Sequence, residues 1–137
     1  MRSNLARLLL TRFRWFDDRL RRALTSELDV DVTPAQSLLL ASLPVEGARQ
    51  ADLARELGVT RQAINELVKS LERQALVKLV DDPASARAKL VCPTETGRRS
   101  IELALQTFDD LEAMLQSRIG KLSVDVLREV LEADWGE

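Results

Sequence analysis

Between residues 60 and 91 the pattern of apolar and polar positions changes from a helical period to an alternating one. The apolar positions after Thr60 recur at helical spacing and form one face: Ala63, Ile64, Leu67, Val68 and Leu71. Two short apolar stretches, residues 76–80 and 90–91, then flank the turn sequence Asp-Pro-Ala-Ser-Ala. The pattern therefore predicts a helix that ends after Arg73, followed by a β-hairpin.

The polar face of this helix carries hydrogen-bonding side chains, which are concentrated in its first two turns. They are Thr60, Arg61, Gln62, Asn65, Glu66 and Lys69. We expect Thr60 to cap the helix by accepting a bond from a backbone N–H group. At the start of a DNA-reading helix, Gln and Asn suit adenine, and Arg suits guanine or phosphate. An ordinary amphipathic helix with a solvated polar face has the same pattern. The neighbouring segments must therefore distinguish a DNA-reading helix from an ordinary one.

The segment before Thr60 predicts a second short helix and a tight turn. Residues 51–57 have helical spacing, and Gly58 stands where a left-handed residue ends a helix. Two short helices joined by a glycine-containing turn form the helix-turn-helix pattern. Farther upstream, Thr33 to Gln36 predicts the capped start of a helix that stops at Pro44, and residues 48–50 predict a short strand.

The predicted hairpin is basic near its tip. Arg87 and Lys89 lie two residues apart in the returning strand, so their side chains project from the same face. Beside a reading helix, such a hairpin brings Arg87 close to a minor groove or to phosphates. Taken alone, it is also an ordinary hairpin with solvent-exposed cations.

Long amphipathic helices are predicted at both ends of the chain. The first runs from Asn4 to about Leu28, and the longest begins at Thr94 with apolar positions spaced like a coiled-coil seam. Gly120 interrupts this seam, and we expect Ser123 to cap a last helix that ends near Trp135. Seams of this length favour a symmetric homodimer, although core packing is an alternative for the first helix. The predicted dimerisation residues are Leu5, Leu9, Phe13, Phe108, Leu115, Ile119, Leu127 and Leu131.

Composition and charge narrow the class of protein. The 137 residues are 45% hydrophobic and 31% charged, which suits one helix-rich domain. The net charge of −2 is uneven: residues 47–99 hold ten basic and seven acidic residues, whereas residues 100–137 hold three and nine. We expect the more basic part to face phosphate. No apolar run approaches the roughly 20 residues of a membrane span, and no signal peptide is evident, so we expect a cytoplasmic protein.

The residue types that most enzymes and metal sites need are scarce. The chain has no histidine and no tyrosine, one cysteine, no glycine-rich phosphate loop and no nucleophile motif. We therefore expect no enzymatic activity, no cofactor, no zinc site and no internal disulfide. We expect Cys92, in or just after the second strand of the hairpin, to behave as a small buried hydrophobe.

The sequence resembles the MarR family of transcription regulators over nearly its whole length. The matching stretches are residues 32–36, ADLARELGVTRQAINELVKSLER at 51–73, RAKLV at 87–91 and TETG at 94–97. The resemblance implies a mainly α fold with a small β-wing, in which residues 33–99 form a winged helix-turn-helix lobe. Residues 1–32 and 100–137 would form the dimerisation region, with interlocking helices. Such dimers bind pseudo-palindromic double-stranded DNA, and many are repressors released by a small aromatic or phenolic ligand.

The resemblance also assigns roles to individual residues. Arg61, Gln62, Asn65 and Lys69 would contact DNA from the helix, and Arg87 would do so from the wing, with Ser85 and Lys89 beside it. The sequence departs from the family at Ser85, where aspartate is usual, at Glu66, where a basic or small polar residue is commoner, and at Ala75, where glycine is usual. Glu66, Ser85 and the acidic character of residues 100–137 motivate an alternative function, a winged-helix dimer with weak or lost DNA binding that recognises a protein. Arg12 and Trp15 are candidate residues of an effector pocket.

Overall fold

The fold is known from a computed structural model that describes residues 2–136. Its elements are α1 (Leu5–Leu28), α2 (Pro34–Ala41), β1 (Ala48–Arg49), α3 (Gln50–Leu57), α4 (Arg61–Arg73), β2 (Val77–Asp82), β3 (Ser85–Pro93), α5 (Glu95–Ile119) and α6 (Lys121–Glu132). The mainly helical architecture with a small antiparallel sheet agrees with the sequence-based prediction.

A core of aliphatic side chains holds the helix-turn-helix together. The inner face of α4 contributes Ile64, Val68 and Leu71, which are almost completely buried, as are Leu39 of α2 and Leu53 of α3. Leu20 and Leu24 of α1 and Ala104 of α5 belong to the same cluster of buried residues. The opposite face of α4 therefore remains available to a partner, because one face of an amphipathic helix supplies all of its packing.

The sheet attaches the wing to the base of the helix-turn-helix. Its strand order is β1-β3-β2, and both pairings are antiparallel. Strand β1 pairs with β3 through two positions only, Ala48 with Val91 and Arg49 with Leu90. The β2–β3 pairing extends from Val77–Pro93 to Asp82–Ser85, with a register irregularity between Asp81 and Asp82.

Several boundaries differ from those predicted. The wing turn is shorter than the five residues expected, because both strands continue to Asp82 and Ser85. Helix α2 ends at Ala41 rather than at Pro44, since a residue that precedes proline avoids the helical region. The expected cap at Ser123 is wrong: α6 begins at Lys121 directly after Gly120, which has a φ of 95° and lets the chain change direction.

The end of α4 requires a left-handed residue, and Ala75 occupies that position with a φ of 58°. The Leu76 amide donates to the Leu71 carbonyl at 3.0 Å, and the Ala75 amide donates to the Glu72 carbonyl at 2.9 Å. These two bonds form a Schellman motif, in which glycine is the usual residue at the left-handed position. Ala75 therefore adopts a left-handed conformation, which is unfavourable for a residue that has a Cβ atom.

The terminal helices pack on one another and leave apolar side chains uncovered. Helix α5 contacts both α1 and α6, and Phe16 of α1 meets Phe108 of α5 edge to face at 6.1 Å between ring centroids. The first turns of α1 and most of α6 nevertheless expose large apolar side chains: Leu5, Leu8, Leu9, Leu10, Phe13, Leu122, Val126, Leu127, Val130 and Leu131. Among the helices of residues 2–136, none is long and apolar enough to cross a membrane.

Candidate nucleic-acid interface

Helix α4 presents the polar side chains expected of a reading helix. Thr60 is its N-cap, and its hydroxyl oxygen accepts a bond from the Ala63 amide at 3.0 Å. The side chains of Arg61, Gln62, Glu66 and Lys69 are exposed, whereas Asn65 is half-buried. The helix therefore offers donors and acceptors along its first two turns, and Thr60 fixes the direction in which it starts.

A groove separates the start of α4 from the wing. Its volume is about 690 Å³, and it is lined by Arg49, Gln50, Ala51, Arg61, Gln62, Ile64, Asn65, Ala88 and Lys89. The fold thus brings Arg61, Gln62 and Asn65 together with Lys89, which is 24 or more residues away in sequence. Sequence reasoning missed Arg49 and Gln50. Their position in the predicted short strand before α3 was the only signal available.

The two basic residues near the tip of the wing, Arg87 and Lys89, differ in their ion pairing. Lys89 forms an exposed ion pair with Asp81, and Arg87 is exposed with no ion pair to any of residues 2–136. The hydroxyl of Ser85 is 3.4 Å from the Arg87 amide nitrogen, so it contacts the backbone rather than the guanidinium group. Arg87 therefore lacks the support that an aspartate at position 85 would give.

Asp82 is the buried acidic residue of the wing. One carboxylate oxygen accepts a hydrogen bond from Nε of Arg49 at 2.7 Å and lies 2.6 Å from Nη2 of the same guanidinium, and the other accepts from the Ala84 amide at 2.9 Å. The bond from the Ala84 amide, and then the bond from Arg49, hold the pKa of Asp82 below its ordinary value. Asp82 is therefore a carboxylate at neutral pH, and its charge is compensated by Arg49.

Glu66 is an exposed carboxylate on the reading face of α4, and it takes part in no ion pair with the described residues. Near phosphate groups this charge opposes binding, whereas near the amino group of a cytosine it can accept a hydrogen bond. The geometry accommodates both roles. Glu66 remains the acidic exception on an otherwise neutral or basic surface formed by Arg61, Gln62, Asn65 and Lys69.

A second candidate site lies between the terminal helices and α2. Its cavity of about 310 Å³ is lined by Phe13, Phe16, Asp17, Leu20, Ser37, Leu38, Ala41, Phe108 and Glu112. Both carboxylates already have basic partners, with Arg21 2.8 Å from Asp17 and Arg128 2.8 Å from Glu112. Arg12 and Trp15 do not line this cavity. Trp15 instead packs edge to face on Phe16, with the guanidinium of Arg19 4.1 Å above its ring.

The predicted dimerisation residues fall into two groups. Those exposed on the helix surfaces are Leu5, Leu9, Phe13, Ile119, Leu127 and Leu131. Phe108 and Leu115 are half-buried and line the cavities between the terminal helices. Cys92 is buried, as predicted, and its sulfur lies 3.6 Å from the Glu46 carbonyl oxygen. Among residues 2–136 no cluster of histidine, cysteine, aspartate and glutamate is arranged to hold a metal ion.

Two short helices with a Gly58 turn, followed by a hairpin that flanks the second helix, define a winged helix-turn-helix protein. Residues 30–88 match the sequence profile described as the MarR family. The reduced form of MarR from E. coli is 25% identical, with 96% of each chain covered and a TM-score of 0.73. This chain is therefore similar to the MarR family of transcription regulators, in sequence over residues 30–88 and in fold over nearly its whole length.

Two further solved structures share the fold. A DNA complex of MepR from S. aureus is 22% identical, with 95% of each chain covered and a TM-score of 0.71. The same regulator bound to ethidium bromide is 23% identical, with 94% of this chain and 92% of that chain covered, and its TM-score is 0.64. No curated protein matches the sequence significantly.

Proposed function

We propose that this protein is a homodimeric, sequence-specific DNA-binding transcription regulator. The observation that carries the proposal is the groove between α4 and the wing, which presents Arg61, Gln62 and Asn65 opposite Lys89. A helix of this kind fits the major groove, and a basic wing beside it reaches the neighbouring backbone or minor groove. MepR, which shares the fold, has been crystallised with DNA. A protein that acts in this way shares a compartment with DNA, so the proposal implies a cytoplasmic protein.

Residues 33–99 would form the DNA-binding lobe, and residues 1–32 and 100–137 the dimerisation region. The uncovered apolar surface of α1 and α6 supports this division, because Leu5, Leu122 and Val126 are 77%, 75% and 47% exposed in a single chain. Contiguous apolar patches of this kind mark interaction sites. A second copy related by a two-fold axis covers the patch, and it presents two copies of α4 to half-sites about 34–36 Å apart on a pseudo-palindromic operator.

The regulation we propose is repression relieved by a small aromatic or phenolic ligand. The cavity between α1, α2 and α5 supplies three phenylalanine rings, from Phe13, Phe16 and Phe108, which suit an aromatic ligand. Its position against α2 connects it to the reading helix, since the Gln36 side chain donates to the Ser70 hydroxyl of α4 at 2.8 Å. Binding of ethidium by MepR is consistent with an aromatic effector in a protein of this fold.

Fluorescence anisotropy on a duplex recovered by in vitro selection tests DNA binding. We expect the association constant to fall steeply with salt, because bound phosphates release counterions. Arg61→Ala and Gln62→Ala are expected to relax base preference, whereas Lys69→Ala weakens binding to all sequences. Lys121→Ala, in the acidic part of the chain, is the control for loss of one positive charge. A response that is flat with salt, or equal binding by all these variants, would contradict the proposal.

Glu66 and the weakly supported Arg87 favour one alternative, a winged-helix dimer that recognises a protein. It predicts a stable dimer that retains no member of a random DNA library. In that case Glu66→Gln would leave the protein unable to bind DNA. Under the leading proposal the same substitution removes a repulsive charge, so it strengthens binding to random DNA.

A further inference from the structure

We propose that the ion pair between Arg49 and Asp82 sets the orientation of the wing against the reading helix, so that an acidic side chain strengthens DNA binding. Asp82 would be a positioning residue that acts through Arg49 rather than by contact with DNA. This inference rests on the proposed function. It goes beyond it by assigning a role to two residues that sequence reasoning left without one.

The ion pair joins the two parts that must be held in register. Arg49 is the N-cap residue of α3, at the base of the helix-turn-helix, and it also lines the groove with Arg61 and Asn65. Asp82 is the last residue of β2, directly before the wing turn. The two residues are 33 positions apart in sequence. A contact between them therefore constrains the angle of the whole hairpin.

The backbone gives little other support at this point. Strand β1 contributes only two paired residues to the sheet, and both lie at the root of the wing. The ladder between β2 and β3 is irregular between Asp81 and Asp82, so the hairpin is less regular where it approaches its tip. Asp82 compensates with a hydrogen-bonded ion pair to Arg49 and a hydrogen bond from the Ala84 amide that closes the turn. Asp82 thus connects the end of β2 to Arg49 where the strand pairing is irregular.

Burial distinguishes Asp82 from its neighbour. The side chain of Asp82 is 7% exposed, whereas that of Asp81 is 86% exposed and pairs with Lys89 at the surface. An exposed carboxylate beside phosphate weakens DNA binding, so neutralising Asp81 is expected to leave affinity unchanged or to raise it. Neutralising Asp82 is expected to lower affinity, because it releases both Arg49 and the wing. Of the two adjacent substitutions, only the one at Asp82 is therefore expected to lower affinity.

The test compares Asp82→Asn with Asp81→Asn on the selected duplex. Asn retains an oxygen for the Ala84 amide but loses the charged partner of Arg49. We expect affinity to fall roughly tenfold in Asp82→Asn, as for the loss of a hydrogen bond between charged groups. Arg49→Gln should weaken binding similarly, and the double variant should be no weaker than either single variant. Asp82→Asn that binds as tightly as the wild type, or more tightly, overturns the proposal.

Two further readouts keep the test decisive. Arg49 could instead contact phosphate directly, with no role for Asp82. Affinity would then fall in Arg49→Gln but not in Asp82→Asn, and this result would also overturn the proposal. Amide hydrogen exchange over residues 84–88 should be faster in Asp82→Asn and Arg49→Gln, with the rest of the protein unchanged. Failure of the wild type to bind any selected DNA would refute the proposed function. Unchanged exchange in the wing would refute the positioning role separately.

Discussion

Replacement of Ala75 by glycine should stabilise this protein, although the side chain that is removed is a single exposed methyl group. Ala75 has a φ of 58° at the end of α4. Its amide donates to Glu72, and its carbonyl accepts from the Thr94 hydroxyl at 2.6 Å, so the backbone at this position is fixed from both sides. The chain therefore cannot relieve the conformation by moving, and only a change of residue removes its cost.

The magnitude follows from two opposing terms. The left-handed conformation costs a residue with a Cβ atom roughly 1–2 kcal/mol of folding free energy, and glycine does not bear this cost. Glycine also makes the unfolded chain more flexible, and this lowers the free energy of unfolding by roughly 0.4–1 kcal/mol. The difference predicts a net stabilisation of about 0.8 kcal/mol. The Ala75 side chain is exposed, so no buried contact is lost.

Urea denaturation monitored by far-UV circular dichroism measures this difference. Wild type and variant should be compared at the same protein concentration, because the stability of a dimer depends on it. Gln74→Gly is the matched control: Gln74 has a φ of −86°, so glycine there brings only its entropic cost and destabilises the protein. An Ala75→Gly variant that is no more stable than the wild type would refute the assignment of strain to this turn.

Three other outcomes follow from the structure. Gly97→Ala should destabilise the protein by about 2 kcal/mol in the same assay. The Cβ atom of the new alanine would lie 2.0 Å from the Leu76 carbonyl oxygen. This clash costs roughly 3 kcal/mol, which outweighs the roughly 1 kcal/mol that alanine gains in helix propensity. Leu127→Asp should convert the dimer to monomer in sedimentation velocity, because it buries a carboxylate at the proposed interface at about 2 kcal/mol per copy; an intact dimer would exclude α6 from that interface. The lowered pKa of Asp82 contributes stability above the ordinary carboxyl pKa, and this is lost as pH falls through the folded-state value. Between about pH 5 and pH 2, wild type should therefore lose more stability than Asp82→Asn, and parallel pH profiles would contradict the assignment.

Much of the fold was predictable because local signals agreed with one another. Thr33 and Thr60 cap helices as expected, and Thr94 caps the helix that was expected to begin there, since a side-chain oxygen at a helix start satisfies amides that have no other partner. Gly58 ends α3 in the left-handed conformation that only its lack of a side chain makes easy. The α4 apolar face was buried as its helical period required.

What the sequence could not supply was mostly contact between distant segments. Nothing in the local sequence around Arg49 or Asp82 indicated that the two would pair, because their separation of 33 residues has no periodic signal. Arg12 and Trp15 were the candidate residues of an effector pocket, whereas the cavity proposed for the effector is lined by Phe13 and Phe16, which are adjacent in sequence but point elsewhere because of the helical rotation. The start of α6 at Lys121 was also missed, because Gly120 alone redirects the backbone without a side-chain cap.

A hydroxyl-radical footprint on the selected duplex tests the central claim most directly, since it reports binding, symmetry and half-site spacing together. Two α4 helices of a two-fold dimer in successive major grooves should protect two patches about 10 base pairs apart, placed symmetrically about a dyad. Extra protection in the flanking minor grooves should come from the wings and disappear in Arg87→Ala. A single asymmetric patch, or no protection at concentrations where the protein is dimeric, would contradict the proposed mode of DNA recognition.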